Sequence, residues 1–195
     1  MNRLAWTSLG LSLSFAAGAA AAQQAAPPTV SVSGQAARLC RIGAPKVQVG
    51  SAVNLGAVDG QTINISSLAD SATLSTKAIS FDIDFDALCN FSHAVQLSSD
   101  RGGLWRVATG AASSATFADG VPYHATLVWA GTQSTLEASA ASVAPKTQVL
   151  DVNSPAGGAL VVQFRVDSGA TDKGAGVPLA AGTYQDTLTV TLGPQ

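Results

Sequence analysis

The chain has 195 residues, of which 11% are charged, compared with about 25% in typical domains. Its 10 lysines and arginines stand against 12 acidic residues, so the formal net charge is −2. Because no basic cluster is present, the composition argues against nucleic acids and anionic membranes as partners. Ser, Thr, Val, Ala and Gly prevail, and these residue types favour β-strands and tight turns.

Residues 1–22 match the pattern of a secretory signal peptide. Arg3 supplies a positive charge, residues 4–17 are mostly apolar, and the alanines at 20–22 offer a cleavage site before Gln23. An N-terminal membrane anchor is the alternative, but the apolar run is short and lacks a stop-transfer charge cluster. We therefore expect an exported chain with no integral membrane span after cleavage.

The next segment, residues 29–36, alternates between small or apolar residues and polar ones. Such a period of two predicts a β-strand, and one interpretation makes it the first strand of a complete sandwich. The residues on its first face are Val30, Val32, Gly34 and Ala36.

The rest of the chain consists of short strand-like segments separated by turn signals. Gly, Pro and Asp cluster at 59–60, 100–103, 119–120 and 154–158. Their spacing of about 8 to 15 residues predicts one all-β sandwich domain. Residues 134–144 are rich in Ala and could form one or two helical turns, although their serines weaken that prediction. The strand-like segments are 46–49, 53–58, 61–65, 78–85, 94–98, 104–108, 125–130, 147–152 and 159–166.

The chain has two cysteines, Cys40 and Cys89. In an exported protein this even count predicts a disulfide, which would stabilise the fold by about 4 kcal/mol through loop-closure entropy. Free thiols or a metal site are the alternatives. A metal site is disfavoured because the chain has neither a CxxC motif nor paired histidines.

No residue pattern predicts catalysis or a cofactor. His93 and His124 are the two histidines, and neither lies in a nucleophile or metalloprotease motif. We expect both to be structural or exposed, and we expect the protein not to be an enzyme. Trp105 and Trp129 lie in strand-like segments, and core positions are predicted for them rather than sugar-stacking platforms.

Three aspartates in residues 81–86 invite a calcium interpretation. Asp82, Asp84 and Asp86 follow the spacing of an EF-hand loop, but Ala87 and His93 stand where that loop needs Gly and Glu. The aspartates also alternate with apolar residues, which predicts a half-buried strand with a solvated acidic face. We therefore expect no metal site there.

The most regular alternation lies near the C-terminus, in residues 183–192. One face carries Thr and Gln, while the other is apolar except for Asp186. This pattern predicts a half-buried β-strand, and it raises the question of what pairs with the strand's second edge. The residues of the second face, apart from Asp186, are Tyr184, Leu188, Val190 and Leu192.

The exported all-β layout, the two cysteines and residues 178–192 together resemble the spore coat protein U domain family. That family includes the pilin subunits of archaic chaperone–usher fimbriae. The specific part of the resemblance is the C-terminal motif, in which Gly182, Tyr184 and Asp186 precede alternating Thr and aliphatic residues.

The resemblance implies an immunoglobulin-like sandwich over residues 39–195 that lacks its last strand and follows an extension at 23–38. An apolar groove would lie beside the C-terminal strand, lined by Tyr184, Leu188, Val190 and Leu192. A periplasmic chaperone would fill the groove first, and the extension of a neighbouring subunit would then replace it. The donor face of that extension would be Val30, Val32, Gly34 and Ala36.

The main functional hypothesis is thus a structural subunit of a surface fimbria, assembled through a chaperone and an outer-membrane usher. The protein would cross the periplasm and end in an extracellular polymer with neighbouring pilin subunits. Only Val30 and Val32 are large on the donor face, so at about 25 cal/mol per Å² the subunit affinity would be several kcal/mol lower than for a fully apolar face. This points to a minor or low-affinity subunit, or to a register that uses Ala26 and Leu39. The alternative function is a secreted β-sandwich module that binds a carbohydrate or a surface ligand.

Overall fold

The structure is a computed structural model that describes residues 29–107 and 115–195. The predicted signal peptide at 1–22 and residues 23–28 of the predicted extension lie outside the described residues. The described residues fall into two units, 29–36 and 37–195. Within them, no helix is long and apolar enough to cross a membrane.

Residues 29–36 form no strand, and their side chains are exposed. Val30 and Val32 are 87% and 94% exposed. A strand needs a neighbour to satisfy its backbone hydrogen bonds, and no described strand pairs with this segment.

The described part of the chain contains fourteen β-strands and no helix. The strands, in chain order, are β1 (Cys40–Ile42), β2 (Lys46–Val53), β3 (Leu55–Asp59), β4 (Thr62–Ile65), β5 (Ile79–Cys89), β6 (His93–Ser99), β7 (Leu104–Arg106), β8 (Gly120–Val121), β9 (Tyr123–Trp129), β10 (Thr132–Ala138), β11 (Lys146–Val152), β12 (Ala156–Val166), β13 (Tyr184–Gln185) and β14 (Leu188–Pro194).

These strands form four antiparallel sheets. In the main sheet the order is β1–β5–β12–β9–β10, and β2 pairs with the same edge of β5 as a continuation of β1. The second sheet has the order β11–β6–β14. A small third sheet joins β13, β7 and β8, while β3 and β4 form a separate hairpin.

Strand β5 shows how the sequence alternation produces the main sheet. Phe81 and Ile83 are buried, whereas Asp84 and Asp86 point to the opposite face. The Asp86 carboxylate forms an ion pair with the Lys46 ammonium group of β2, in which Nζ lies 2.6 Å from Oδ2. This ion pair links β2 to the acidic face of β5. The predicted half-buried strand is confirmed.

The main and second sheets share one apolar core. The rings of Phe81 and Phe164 stack with centroids 4.8 Å apart, where their residues face each other across β5 and β12. Val95 and Leu97 of β6 are fully buried in the same cluster as Leu127 of β9. The prediction of an all-β fold is confirmed, and burial of these side chains is its main source of stability.

The predicted helical turns at 134–144 are wrong, because residues 132–138 form the edge strand β10. Ser134 and Thr135 pair with residues of β9, and Leu136 and Ala138 turn into the core. Pairing and burial thus outweigh the helix propensity of the Ala residues.

The disulfide between Cys40 and Cys89 is confirmed. The two residues face each other in the register of β1 and β5, and Cys89 is buried. Just beyond the disulfide, the Asn90 side chain accepts from the Leu39 amide and donates to the Ala37 carbonyl, both at 2.8 Å. The start of the second unit is therefore fixed to the end of β5 by both covalent and hydrogen bonds.

Candidate binding groove

The C-terminal strand β14 has one paired edge. It pairs along its full length with β6, from Leu188 opposite Ser99 to Pro194 opposite His93. In the described part of the chain, no strand pairs with its other edge. That edge therefore offers unpaired backbone N–H and C=O groups.

A groove with a volume of about 1390 Å³ lies beside this edge. Its floor consists of residues that belong to the apolar core, including Phe81, Phe164 and Leu97. Protein interiors are close-packed, and voids larger than a water molecule are rare. The volume also exceeds the 300–1,000 Å³ or so of ordinary small-molecule pockets, so it fits a peptide segment better.

Three of the four residues predicted to line a groove do line this one, namely Tyr184, Leu188 and Val190. All three are half-buried. Leu192 packs against the core on the same face of β14 but is outside the groove lining.

Asp186, the break in the apolar row, is the only charged residue among the described residues that line the groove. Its carboxylate accepts five hydrogen bonds at 2.5 to 3.3 Å, and each donor lies in an element next to the start of β14. The carboxylate is therefore fully engaged in holding these elements together. The donors are the hydroxyls of Ser99 and Tyr123 and the amides of Arg101, Gly103 and Thr187.

Both tyrosines near the groove are kept protonated by their surroundings. Burial raises the pKa of Tyr123, and the neighbouring Asp186 carboxylate adds to the shift. Burial, together with the charge of Asp119, raises the pKa of Tyr184 to about 12. The Tyr184 hydroxyl lies 2.9 Å from the Ala118 carbonyl and 2.8 Å from that of Ala180, so its proton is shared by two backbone acceptors.

The two sheets meet differently on their two sides. On one side β10 and β11 lie side by side, and the Gln148 side chain donates to the Ser134 hydroxyl at 2.7 Å. On the other side, the groove is lined both by β14 and by residues 43–45, which join β1 to β2. The core is therefore covered at the first side and reached by the groove at the second.

The predicted donor residues Val30, Val32, Gly34 and Ala36 lie in the first unit, where all four are exposed. They carry no strand pairing within the described chain. The side chains of Val30, Val32 and Ala36 are therefore exposed.

The histidines have structural surroundings. His93 is fully buried, and its Nδ1 lies 2.7 Å from the Phe91 carbonyl oxygen. The centroids of the His93 and Trp129 rings are 4.8 Å apart. His124 lies on the sheet surface, where Nδ1 contacts Glu137 and Nε2 lies 3.6 Å from Asp167. Among the described residues, no three His, Cys, Asp or Glu side chains are placed to hold a metal ion.

The tryptophans are packed against protein. Trp129 is 3% exposed, and the half-buried Trp105 donates its indole N–H to the Arg101 carbonyl at 2.9 Å. The Trp105 ring also lies against Gly120, where an added Cβ would come within 3.0 Å of it. These contacts leave neither ring arranged as an open sugar-stacking platform.

Sequence reasoning missed two parts of the groove. The core phenylalanines of its floor come from β5 and β12, and only the tertiary fold brings them to the edge of β14. Hairpin β3–β4 also lines the groove through residues 60–65, including Ile63 and Ile65.

Comparisons of this chain with protein-family models, with curated proteins and with solved structures give no match. The resemblance to a pilin family therefore rests on the C-terminal motif and the layout of the chain.

Proposed function

We propose that this protein is a secreted structural subunit of a surface fimbria or pilus that polymerises by donor-strand exchange. The observation that carries the proposal is the apolar groove along the unpaired edge of β14. A strand added there would find backbone partners on β14 and core side chains beneath it. Addition of a strand to an exposed sheet edge is a common way in which proteins bind extended peptides.

An incomplete immunoglobulin-like sandwich accounts for the difference between the two sides of the fold. One side is closed by β10 and β11, whereas the other has the groove, which is lined by β14 and by residues 43–45. A single strand inserted beside β14 would close the second side. The missing strand would then belong to another polypeptide.

The proposed occupant is residues 29–36 of a second copy of this chain. Its eight residues would span about 26 Å when extended, and the seven residues of β14 span about 23 Å. The segment carries no charge, which suits a groove whose single described charged residue already has five donors. Burial of Val30 and Val32 would remove two highly exposed apolar side chains from water.

The resemblance supplies the partners of this proposal. A periplasmic chaperone would occupy the groove after export, an outer-membrane usher would exchange it for the extension of the next subunit, and the product would be a cell-surface polymer. The signal-peptide pattern at 1–22 is the feature of this chain that supports export. The thin donor face fits a minor or low-affinity subunit.

The first test compares the chain 23–195 with a chain that lacks residues 23–37. We expect the longer chain to form multimers on size-exclusion chromatography and the shorter chain to remain monomeric. A synthetic peptide of residues 26–39 should bind the shorter chain at a ratio of one to one in calorimetry and raise its melting temperature. The proposal would be contradicted if multimers form equally well without residues 23–37. It would also be contradicted if the shorter chain does not bind the peptide.

Matched variants locate the contact. A peptide with Val30→Ser and Val32→Ser should bind at least tenfold more weakly, whereas Ser31→Ala and Ser33→Ala in the alternate positions should change the affinity little. On the groove side, Val190→Asp should abolish binding, because it would place a carboxylate beneath the inserted strand. The control is Thr191→Asp, at a neighbouring position of β14 whose side chain is exposed on the opposite face.

A further inference from the structure

Hairpin β3–β4 is attached to the rest of the second unit differently from the strands of the main and second sheets. Its two strands pair only with each other among the described residues, from Leu55 opposite Ile65 to Asp59 opposite Thr62. The strands of the main and second sheets are instead held by ladders of directional backbone hydrogen bonds. The hairpin therefore lacks a hydrogen-bonded register with either sheet.

The contacts of the hairpin with the core of the second unit are apolar. Leu55, Ile63 and Ile65 are half-buried and pack against the core cluster, whereas Val58 is 40% exposed. Residues 60–65 line the same groove as Leu188 and Val190 of β14. Apolar contacts are non-directional, so this face can separate from the core and return to it without a fixed register.

The two ends of the hairpin meet at a narrow neck. Asn54, which precedes β3, has a φ of 59°, and its carbonyl accepts from the Ser66 amide at 3.1 Å. Its side chain also accepts from the Ser67 amide at 3.2 Å and donates to the Ser67 carbonyl. The hairpin is thus closed on itself at residues 54 and 66–67, which makes the neck the place where a rigid-body movement of the hairpin would be accommodated.

We propose that hairpin β3–β4 is a movable second wall of the groove, which closes over an extended apolar segment bound along β14. Ile63 and Ile65 are its contact residues, and the occupant is residues 29–36 of a second copy. This inference rests on the proposed function for the identity of the occupant. The mobility of the hairpin does not depend on it.

A movable hairpin explains how the groove can bind a donor face that has few large apolar side chains. Val30 and Val32 bury their side chains on one side of the inserted segment, and Gly34 and Ala36 add little area there. Contacts from Ile63 and Ile65 would add apolar area to the same segment from the hairpin side. The chain would then recognise a segment with small residues because two surfaces enclose it.

Hydrogen–deuterium exchange tests the mobility in the chain that lacks residues 23–37. We expect the amides of β3 and β4 to exchange at least 100-fold faster than those of β5 and β12. Addition of the peptide 26–39 should slow exchange in the hairpin at least tenfold. Exchange in the free hairpin that is as slow as in β5 would overturn the proposal.

Paired variants test the contact itself. The double variant Ile63→Ser and Ile65→Ser should weaken peptide binding at least tenfold and speed its dissociation. The control Asp59→Ser should leave both unchanged, because exposed Asp59 pairs with Thr62, whose side chain alternates with that of Ile63, and lies outside the groove lining. Circular dichroism and the exchange rates of β5 and β12 verify that the double variant keeps its core. If the unchanged chain binds the peptide and the double variant binds it equally well, the wall is refuted and strand addition along β14 stands. If the unchanged chain does not bind the peptide, strand addition along β14 is refuted. The exchange rate of the free hairpin then shows separately whether the hairpin is mobile.

Discussion

Replacement of Asp186 by Ala should be among the most destabilising single changes in the groove. The Asp186 carboxylate joins the end of β6, the following loop, β9 and the start of β14 through five hydrogen bonds. The Ser99 and Tyr123 hydroxyls among its donors belong to residues that are 0% and 1% exposed. The Ala variant would remove the carboxylate acceptor from both buried hydroxyls.

The magnitude follows from those buried donors. A hydrogen bond to a charged group contributes about 1.5 to 3 kcal/mol, so loss of the two hydroxyl bonds alone costs about 3 kcal/mol or more. The amides of Arg101, Gly103 and Thr187 regain part of their hydration and add less. We expect a total loss of about 4 kcal/mol, in the range found when one partner of a buried charged network is removed.

Conservative variants separate the hydrogen bonds from the loss of side-chain volume. Asp186→Asn should cost about 2 kcal/mol, because its oxygen still serves two amides and its NH₂ group can face the rotatable hydroxyls. Tyr123→Phe removes one donor and should cost about 1 to 2 kcal/mol. Thr189→Ala, on the exposed face of β14, should change stability by less than about 0.5 kcal/mol.

The assay is urea unfolding of the chain that lacks residues 23–37, followed by the fluorescence of Trp105 and Trp129. The free energies of unfolding should rank in the order of the number of hydrogen bonds retained. A loss below about 1 kcal/mol for Asp186→Ala would refute the reasoning, because it would mean that the buried hydroxyls find other acceptors at no cost.

Three further predictions concern stability. Replacement of Cys40 and Cys89 by Ala should lower the free energy of unfolding by about 4 kcal/mol, as expected for a sequence separation of 49, and urea titration with and without reductant measures it. The raised pKa of Tyr184 means that the folded chain keeps a proton that the unfolded chain loses above its usual pKa of 10, so stability should fall between pH 10 and about 12. Tyr184→Phe should flatten that part of the stability profile, and an unchanged slope would contradict the assignment. Arg106 and Asp119 form an ion pair at 2.6 Å with side chains 8% and 16% exposed, so Arg106→Met alone should cost about 3 to 5 kcal/mol, and adding Asp119→Leu should recover part of the loss in a double-mutant cycle.

Several elements were predictable because their cause is local. The alternation of Phe81 and Ile83 with aspartates predicted β5, and the alternation after Asp186 predicted β14, since a period of two follows from the pleat of any strand. The disulfide was predicted from the even cysteine count together with the expectation of export. The error at 134–144 arose because helix propensity is also local, while the edge of β9 that converts this segment into β10 is not visible in the sequence.

The candidate site was predictable only in part. Tyr184, Leu188 and Val190 line the groove, whereas Leu192 packs against the core outside the groove lining. The alternation could show which face of a strand is apolar. It could not show which stretch of that face a distant strand would cover.

The sequence by itself determined the all-β class, the strands with clear alternation and the identity of the cysteine pair, because each depends on neighbours along the chain or on composition. The tertiary structure alone decided that a groove lies beside β14, that Phe81 and Phe164 contribute to its lining, and that hairpin β3–β4 lines it as well. The structure likewise turned Asp186 from an irregularity in a pattern into the acceptor of five hydrogen bonds. The physical reason is that periodicity fixes the direction of a side chain, whereas its partners depend on strand pairings between residues far apart in the chain.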